Sequence, residues 1–403
     1  MYVIQKNKNV MKISIPAKKN FIHLTYCMNI HPGEEWPAVL DAVRTYARAV
    51  RDRLQLQGQF GLGLRLSAKA ATTLEQGHKL NEFKKVLRDN RLYVFTINGF
   101  PYGQFHGVPV KENVYAPDWS TSDRLEYTKS LVRILTDLLP ENVPGSISTL
   151  PGTYGRDIAP AKYHAIVKNL LDAACYCHDV ASAKQRDCCL AIEPEPGCLW
   201  ENTDDLIRLF SEDFPNYATR SGSNPSDRVG DGLGVCLDTC HMAVLYEDIP
   251  GAVARLQKHN IPIAKIQLSA GLICRNQPGS LKQLESFDEP VYLHQCAVKT
   301  SAGVRRYADL KAALKAVRGL DQWDEIRTHF HVPLFVENYG ELYSTGSLLS
   351  PDFFELVRSG ICQNLEVETY SFSALPERYR SDEVTENITK ELDWVCQKLN
   401  RSG

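Results

Sequence analysis

Short apolar runs rich in β-branched or aromatic residues recur along the chain, each ending in polar, Gly or Pro positions and each followed by a helix-like stretch. Eight such runs predict strands: FIHLTYCMN (21–29), GLGLRLS (61–67), LYVFTING (92–99), SISTLPG (146–152), CLAIEPEP (189–196), GVCLDTCH (234–241), AKIQLSAG (264–271) and NLEVETYSF (364–372). Between them, Leu125, Thr128, Val132, Leu135 and Leu139 line one helical face after a capping box read at Ser120 and Asp123, and Pro140 closes that helix. A second helix starts near Pro160 and turns Tyr163, Ile166, Val167, Leu170, Leu171 and Ala174 toward the core. Eight alternating strands and helices predict an α/β chain closing into a single (β/α)8 barrel. THFHVPLFVENYG (328–340) reads as one strand too many, an excursion after the seventh. An open doubly wound sheet is disfavoured, because no glycine fingerprint follows the first strand.

Composition adds few constraints. The 403 residues are 43% hydrophobic and 23% charged, which excludes a mainly disordered or collagen-like chain. Net charge is −2 with Lys and Arg scattered, so nucleic acid is not an expected partner. Residues 1–20 carry Lys without an apolar core behind them, and are read as a flexible lead-in rather than a signal peptide or membrane anchor. Residues 21–376 are assigned to the barrel and 377–403 to a helical tail packing on it. Twelve Cys without CxxC pairs fit buried reduced thiols and a cytoplasmic location, with no direct membrane insertion.

In a barrel, chemistry collects where the strands end. Those ends supply Asn29, Asn98, Thr149, Glu193, Glu195, Asp238, His241, Gln267, Glu366 and Glu368. Several acids aimed at one mouth repel one another unless a cation joins them, so a divalent metal ion is expected: Mn or Mg for an oxygen-rich ligand set, Zn or Co where imidazoles take part. Glu193 and Glu195 share one side of their strand, as do Glu366 and Glu368. Glu193 and Glu368 are the preferred ligands and proton carriers, since each lies where strand pattern gives way to loop. Glu195 and Glu366 stand evenly between a site role and a structural ion pair. His241, three residues after Asp238, is placed to bind metal, orient a substrate oxygen or shuttle a proton. His329 and His331 face the same way if their segment is extended, and are assigned to substrate binding, as are Asn98, Tyr102 and Glu195. The segment NGFPYGQFHG (98–107) is expected to wall a small-molecule pocket.

IEPEP, LDTCH and LEVET make the chain resemble the xylose-isomerase-like barrel superfamily, which holds sugar-phosphate isomerases, ketose 3-epimerases and abasic-site nucleases of the endonuclease IV type. The resemblance implies a metal held by Glu193, Asp238, Gln267 and Glu368, with Gln267 standing where the family has a His. His329 and His331 fall where the nuclease branch has an extra metal site, whereas Asn98 and Thr149 replace the histidines that branch needs. LTYCMNIHPGEEW, FTINGFPYG, STLPGTYG, EPEPGCLWEN, HFHVPLFVENYG and LEVETYSFSALP further resemble the EboE family of metabolite traffic proteins, over roughly residues 20–376. That likeness implies a small-molecule metabolite processed or handed on before export, with other Ebo-cluster proteins as partners. Three functions follow: a metal-dependent isomerase or epimerase, a non-catalytic carrier barrel, and a metal-dependent phosphodiesterase. Retained metal favours the first, and a metal-free aromatic pocket the second.

Overall fold

The structure is a computed structural model that describes residues 11–15, 20–221, 231–380 and 383–400. The eight predicted runs all form strands: β2 (Asn20–Tyr26), β3 (Phe60–Arg65), β4 (Leu92–Asn98), β5 (Gly145–Thr149), β6 (Cys188–Ile192), β7 (Leu233–Asp238), β8 (Ile263–Leu268) and β15 (Asn364–Val367). They are parallel neighbours in the order β2, β15, β8, β7, β6, β5, β4, β3. The sheet curls until its two end strands meet at one parallel bridge, Cys27 to Gly63, rather than along a full ladder. Their runs are apolar on both faces because helices cover the outside, which parallel crossover connections require. Helix Ser122–Leu138 follows β4, with Thr121 capping it by accepting from the Arg124 N–H; the cap is thus one residue beyond the expected Ser120. Helix Pro160–Ala183 follows β5 and starts on its proline.

Within the curl, polar side chains replace the usual branched aliphatics. Lys265 and Glu366 form an ion pair with both side chains fully buried, and Asn364 and Thr96 both hydrogen-bond the Ser146 hydroxyl. Burial opposes the Lys265 charge, yet the Glu366 carboxylate outweighs it and raises the lysine pKa. Gly63 is required here, since a Cβ at that position would fall on the Glu366 carboxylate. Glu366 therefore takes the structural role of the two left open to it.

Two parts of the chain depart from the expected plan. Lys12–Ile15, inside the expected lead-in, forms strand β1, paired antiparallel with β2; residues 1–10 and 16–19 lie outside the described residues. Between β8 and β15 the chain builds a second, antiparallel sheet from β9 (Leu272–Arg275), β10 (Cys296–Thr300), β11 (Gly303–Tyr307), β12 (Glu325–Thr328), β13 (Asn338–Tyr339) and β14 (Leu342–Ser344). The segment 328–340 is mostly not a strand. Residues 329–337 leave β12 as irregular chain that crosses the mouth of the curled sheet and pairs with it through Val332 N–H to Ala270 O. The C-terminal helix Val384–Asn400 buries Ile388, Leu392, Val395 and Leu399 in the common core. Among the described residues no helix is long and apolar enough to cross a membrane.

Candidate metal and active site

Asp238 ends β7 and caps helix Thr239–Val244. Its Oδ1 accepts from the Cys240 N–H at 2.8 Å, the His241 N–H at 2.9 Å and the Ser269 hydroxyl at 2.7 Å. With one oxygen saturated, the carboxylate cannot rotate, and Oδ2 is left buried without a partner. Glu193, just past β6, is held by its N–H on Thr149 O and likewise leaves Oε2 buried and unpartnered. Glu368, just past β15, is held by amides: Oε1 accepts from Asn29 at 2.7 Å and Asn98 at 2.9 Å, and Oε2 accepts from Gln267. Oxygens of Glu193, Asp238 and Glu368 all lie within 4.8 Å of one another. Two orphaned acceptors in so small a space are costly unless something positive meets them.

Three histidines face the same space, and their partners settle their tautomers. The Nδ1 atoms of His241 and His331 lie 2.8 Å from the carbonyl oxygens of Pro194 and Glu368, which can only accept, so both Nδ1 atoms carry hydrogen. His329 Nδ1 lies 2.7 Å from Gln295 Oε1. The Gln295 amide is oriented by its own NH2, which donates to Pro196 O at 2.9 Å and to the Tyr115 hydroxyl at 2.8 Å. His329 Nδ1 is thus a donor as well. Each ring then turns Nε2 inward, and those of His329 and His331 are buried without partners. Donation of Nδ1–H to a fixed oxygen is the usual way a protein orients an imidazole for a metal. His331 and His241 come within 4.8 Å of Asp238, and His329 and His241 within 4.8 Å of Glu195.

Charge follows from this crowding. Burial raises the Glu193 carboxyl to about 8, with Asp238 adding to the shift, and burial together with Glu193 and Asp238 holds Glu368 well above the ordinary range. Burial also opposes ionisation of Asp238, but His241, His331 and the hydrogen bond from Ser269 outweigh it and keep that carboxyl low. Burial and the neighbouring His241 hold His329 well below 6.5. His331 sits at about 4, lowered chiefly by burial and held from falling further by Asp238. Both rings are therefore neutral, with free lone pairs. Such donors fit a divalent transition metal: hydrogen-bonded carboxyls that would release their protons on binding a cation, and neutral imidazoles.

Most residues expected at the mouth converge there. Glu193, Glu195, Asp238, His241, His329, His331 and Glu368 form the cluster, and Asn98 supports Glu368. Gln267 is corrected from ligand to support. Its nitrogen is spent on Glu368 and its oxygen accepts from the Cys236 thiol at 2.8 Å, so both ends of its amide are engaged and it anchors Glu368. Tyr102 does not face the pocket. Its ring packs edge-on against Tyr127 at 5.1 Å and under the Arg124 guanidinium, on the helix side of its loop. The same stretch instead gives Phe100 and Phe105 to a pocket over the cluster. Gln295 and Tyr115, which position His329 and Glu195, come from a loop of the second sheet and a short turn after β4; neither follows a strand end, and only their polar character marks them in the sequence.

Scans against protein-family models and against curated proteins find no match. Solved structures similar to this chain include an IOLI protein with a bound zinc atom, at 11% identity and TM-score 0.46, covering 94% of this chain and 100% of that one. Another is a D-psicose 3-epimerase with D-tagatose from Clostridium cellulolyticum H10, at 13% identity and TM-score 0.45 over 94% of this chain and 100% of that one. A third is an L-ribulose 3-epimerase, at 11% identity and TM-score 0.45, with 94% of each chain covered.

Proposed function

We propose that this chain is a divalent-metal-dependent isomerase or epimerase acting on a small oxygenated metabolite. The supporting observation is the pair of orphaned carboxylate oxygens, Glu193 Oε2 and Asp238 Oδ2, in a close carboxylate triad with the amide-held Glu368, while Asp238 also lies within 4.8 Å of His241 and His331. Glu193, Asp238, Glu368 and His331 would hold the cation, which when bound polarises a substrate carbonyl or hydroxyl and stabilises developing negative charge. Imidazole in the set favours Mn, Zn or Co over Mg.

Glu193 and Glu368 stand on either side of Asp238, since β7 and β8 separate β6 from β15 in the sheet. Carboxyls on two sides of one bound carbon suit proton transfer. One takes the proton next to a carbonyl, leaving the electron pair on the carbonyl oxygen. A proton then returns to the same carbon from the other carboxyl, or to its neighbour, giving an epimer or an isomer. His241, held by Pro194, is placed to orient the substrate oxygen.

The carrier reading rests on Gln267 in place of a ligand and on the metabolite-traffic resemblance; His331, within 4.8 Å of Asp238, is the imidazole that would answer the first. A role in passing the product to other Ebo-cluster proteins rests on motif resemblance alone. The reaction is tested by incubating the full chain, loaded with Mn or Zn, with a panel of hydroxyketones, polyhydroxylated and aryl-bearing, in D2O. Deuterium entering the carbon next to the carbonyl, lost in Glu193→Gln and Glu368→Gln, is expected. Absence of exchange across the panel despite bound metal would contradict it.

A further inference from the structure

The pocket above the acid and histidine cluster changes character within a few ångströms. Its floor is polar. Its outer wall is made by Phe100, Phe105, Val110, Val114, Tyr292 and Leu293, and a run of ring contacts climbs it from the cluster: His331 to Tyr370 at 4.7 Å, Tyr370 to Tyr292 at 5.0 Å, and Tyr292 to Phe105 at 5.4 Å. Apart from the Tyr370 hydroxyl, the polar side-chain atoms of this wall are already engaged. The Tyr115 hydroxyl donates to Glu195 at 2.7 Å and accepts from Gln295. His106 Nε2 faces the Asn29 carbonyl oxygen, so its Nδ1 accepts and the Tyr292 hydroxyl donates to it at 3.2 Å. Lys111, which also lines the pocket, is paired with Asp309 at 2.9 Å.

A substrate carrying hydroxyls along its whole length would have to desolvate those lying against this wall without replacement partners, at a cost that opposes binding. A substrate with its oxygens gathered at one end would leave only apolar surface there. Resting on the metal-site reading above, we infer that the pocket selects a molecule with two adjacent oxygens at the cluster and a flat, apolar, ring-bearing body against the Phe105, Tyr292 and Tyr370 wall. It disfavours a compact polyhydroxylated chain.

Three hydroxamates that share the adjacent-oxygen head separate the possibilities when titrated calorimetrically into the zinc-loaded full chain: acetohydroxamate, 3-phenylpropanohydroxamate and D-erythronohydroxamate. Burial of the phenyl ring predicts that 3-phenylpropanohydroxamate binds about 10- to 100-fold tighter than acetohydroxamate. D-Erythronohydroxamate is expected to gain nothing, and Phe105→Ser to remove most of the phenyl advantage while leaving acetohydroxamate unchanged. Equal binding of the phenyl and acetyl compounds, or tightest binding of the polyhydroxylated one, overturns the inference and leaves the metal reading standing. Failure of all three to bind overturns the metal reading, and the inference with it.

Discussion

Asp238 has one oxygen fixed by three donors so that the other has a single direction available. If that fixing matters to metal affinity, Ser269→Ala should weaken it by about 10- to 100-fold, the usual cost of losing a hydrogen bond that orients a ligand. Competition with a chromophoric chelator reads this directly. Deeper in the curl, Lys265→Met should destabilise the fold by about 3–5 kcal/mol in chemical denaturation, because it strands the Glu366 charge away from water. The double change Lys265→Met with Glu366→Leu should recover most of that loss. Glu193, Asp238 and Glu368 were legible in the sequence because strand-end position and residue type coincide. Gln267 was not, since its role depends on whether Cys236 and Glu368 take its two ends before a cation does. Tyr102 misled for a related reason: an aromatic in a loop faces whichever side offers a packing partner, and here Tyr127 and Arg124 lie on the helix side.

Two elements outside the parallel sheet complete the site. The second sheet brings Gln295, His329 and His331 across the mouth. Its strands span only two to five residues, and β11 is largely exposed along its length, so neither alternation nor apolar density announced them. The eight parallel strands, by contrast, were readable because burial on both faces makes them nearly continuous apolar runs. The C-terminal helix braces the same region: Glu391 accepts from the Leu334 N–H at 3.0 Å and the Thr369 hydroxyl at 2.7 Å, joining the segment after His331 to the one after Glu368. Burial raises the Glu391 carboxyl to about 8. With a folded value above the ordinary 4.5, the folded state binds the proton more tightly. Its contribution to stability is therefore greatest below pH 4.5 and is lost as pH rises toward 8. Glu391→Gln keeps an acceptor and removes the ionisation. It should raise stability at pH 8 by on the order of 2–4 kcal/mol and change little at pH 5, as measured by urea unfolding at both values.

At the scale of the molecule, a parallel sheet, an inserted antiparallel sheet and a terminal helix meet around one cluster of acids and imidazoles. The acids come from the parallel strands, and two of the three imidazoles from the chain that crosses their mouth. Most of that convergence was visible as residue types at strand ends; the crossing of 329–337 was not, because it depends on a pairing with Ala270 that no local pattern encodes. The central claim is that these groups exist to hold a cation. Elemental mass spectrometry of the purified full chain, after equilibration with Mn, Zn or Co and removal of excess ion, tests it most directly. The account predicts about one tightly held equivalent, lost in Asp238→Asn and in His331→Ala while circular dichroism shows both variants folded. A folded wild-type chain that retains no metal, or variants that retain as much as the wild type, would contradict it.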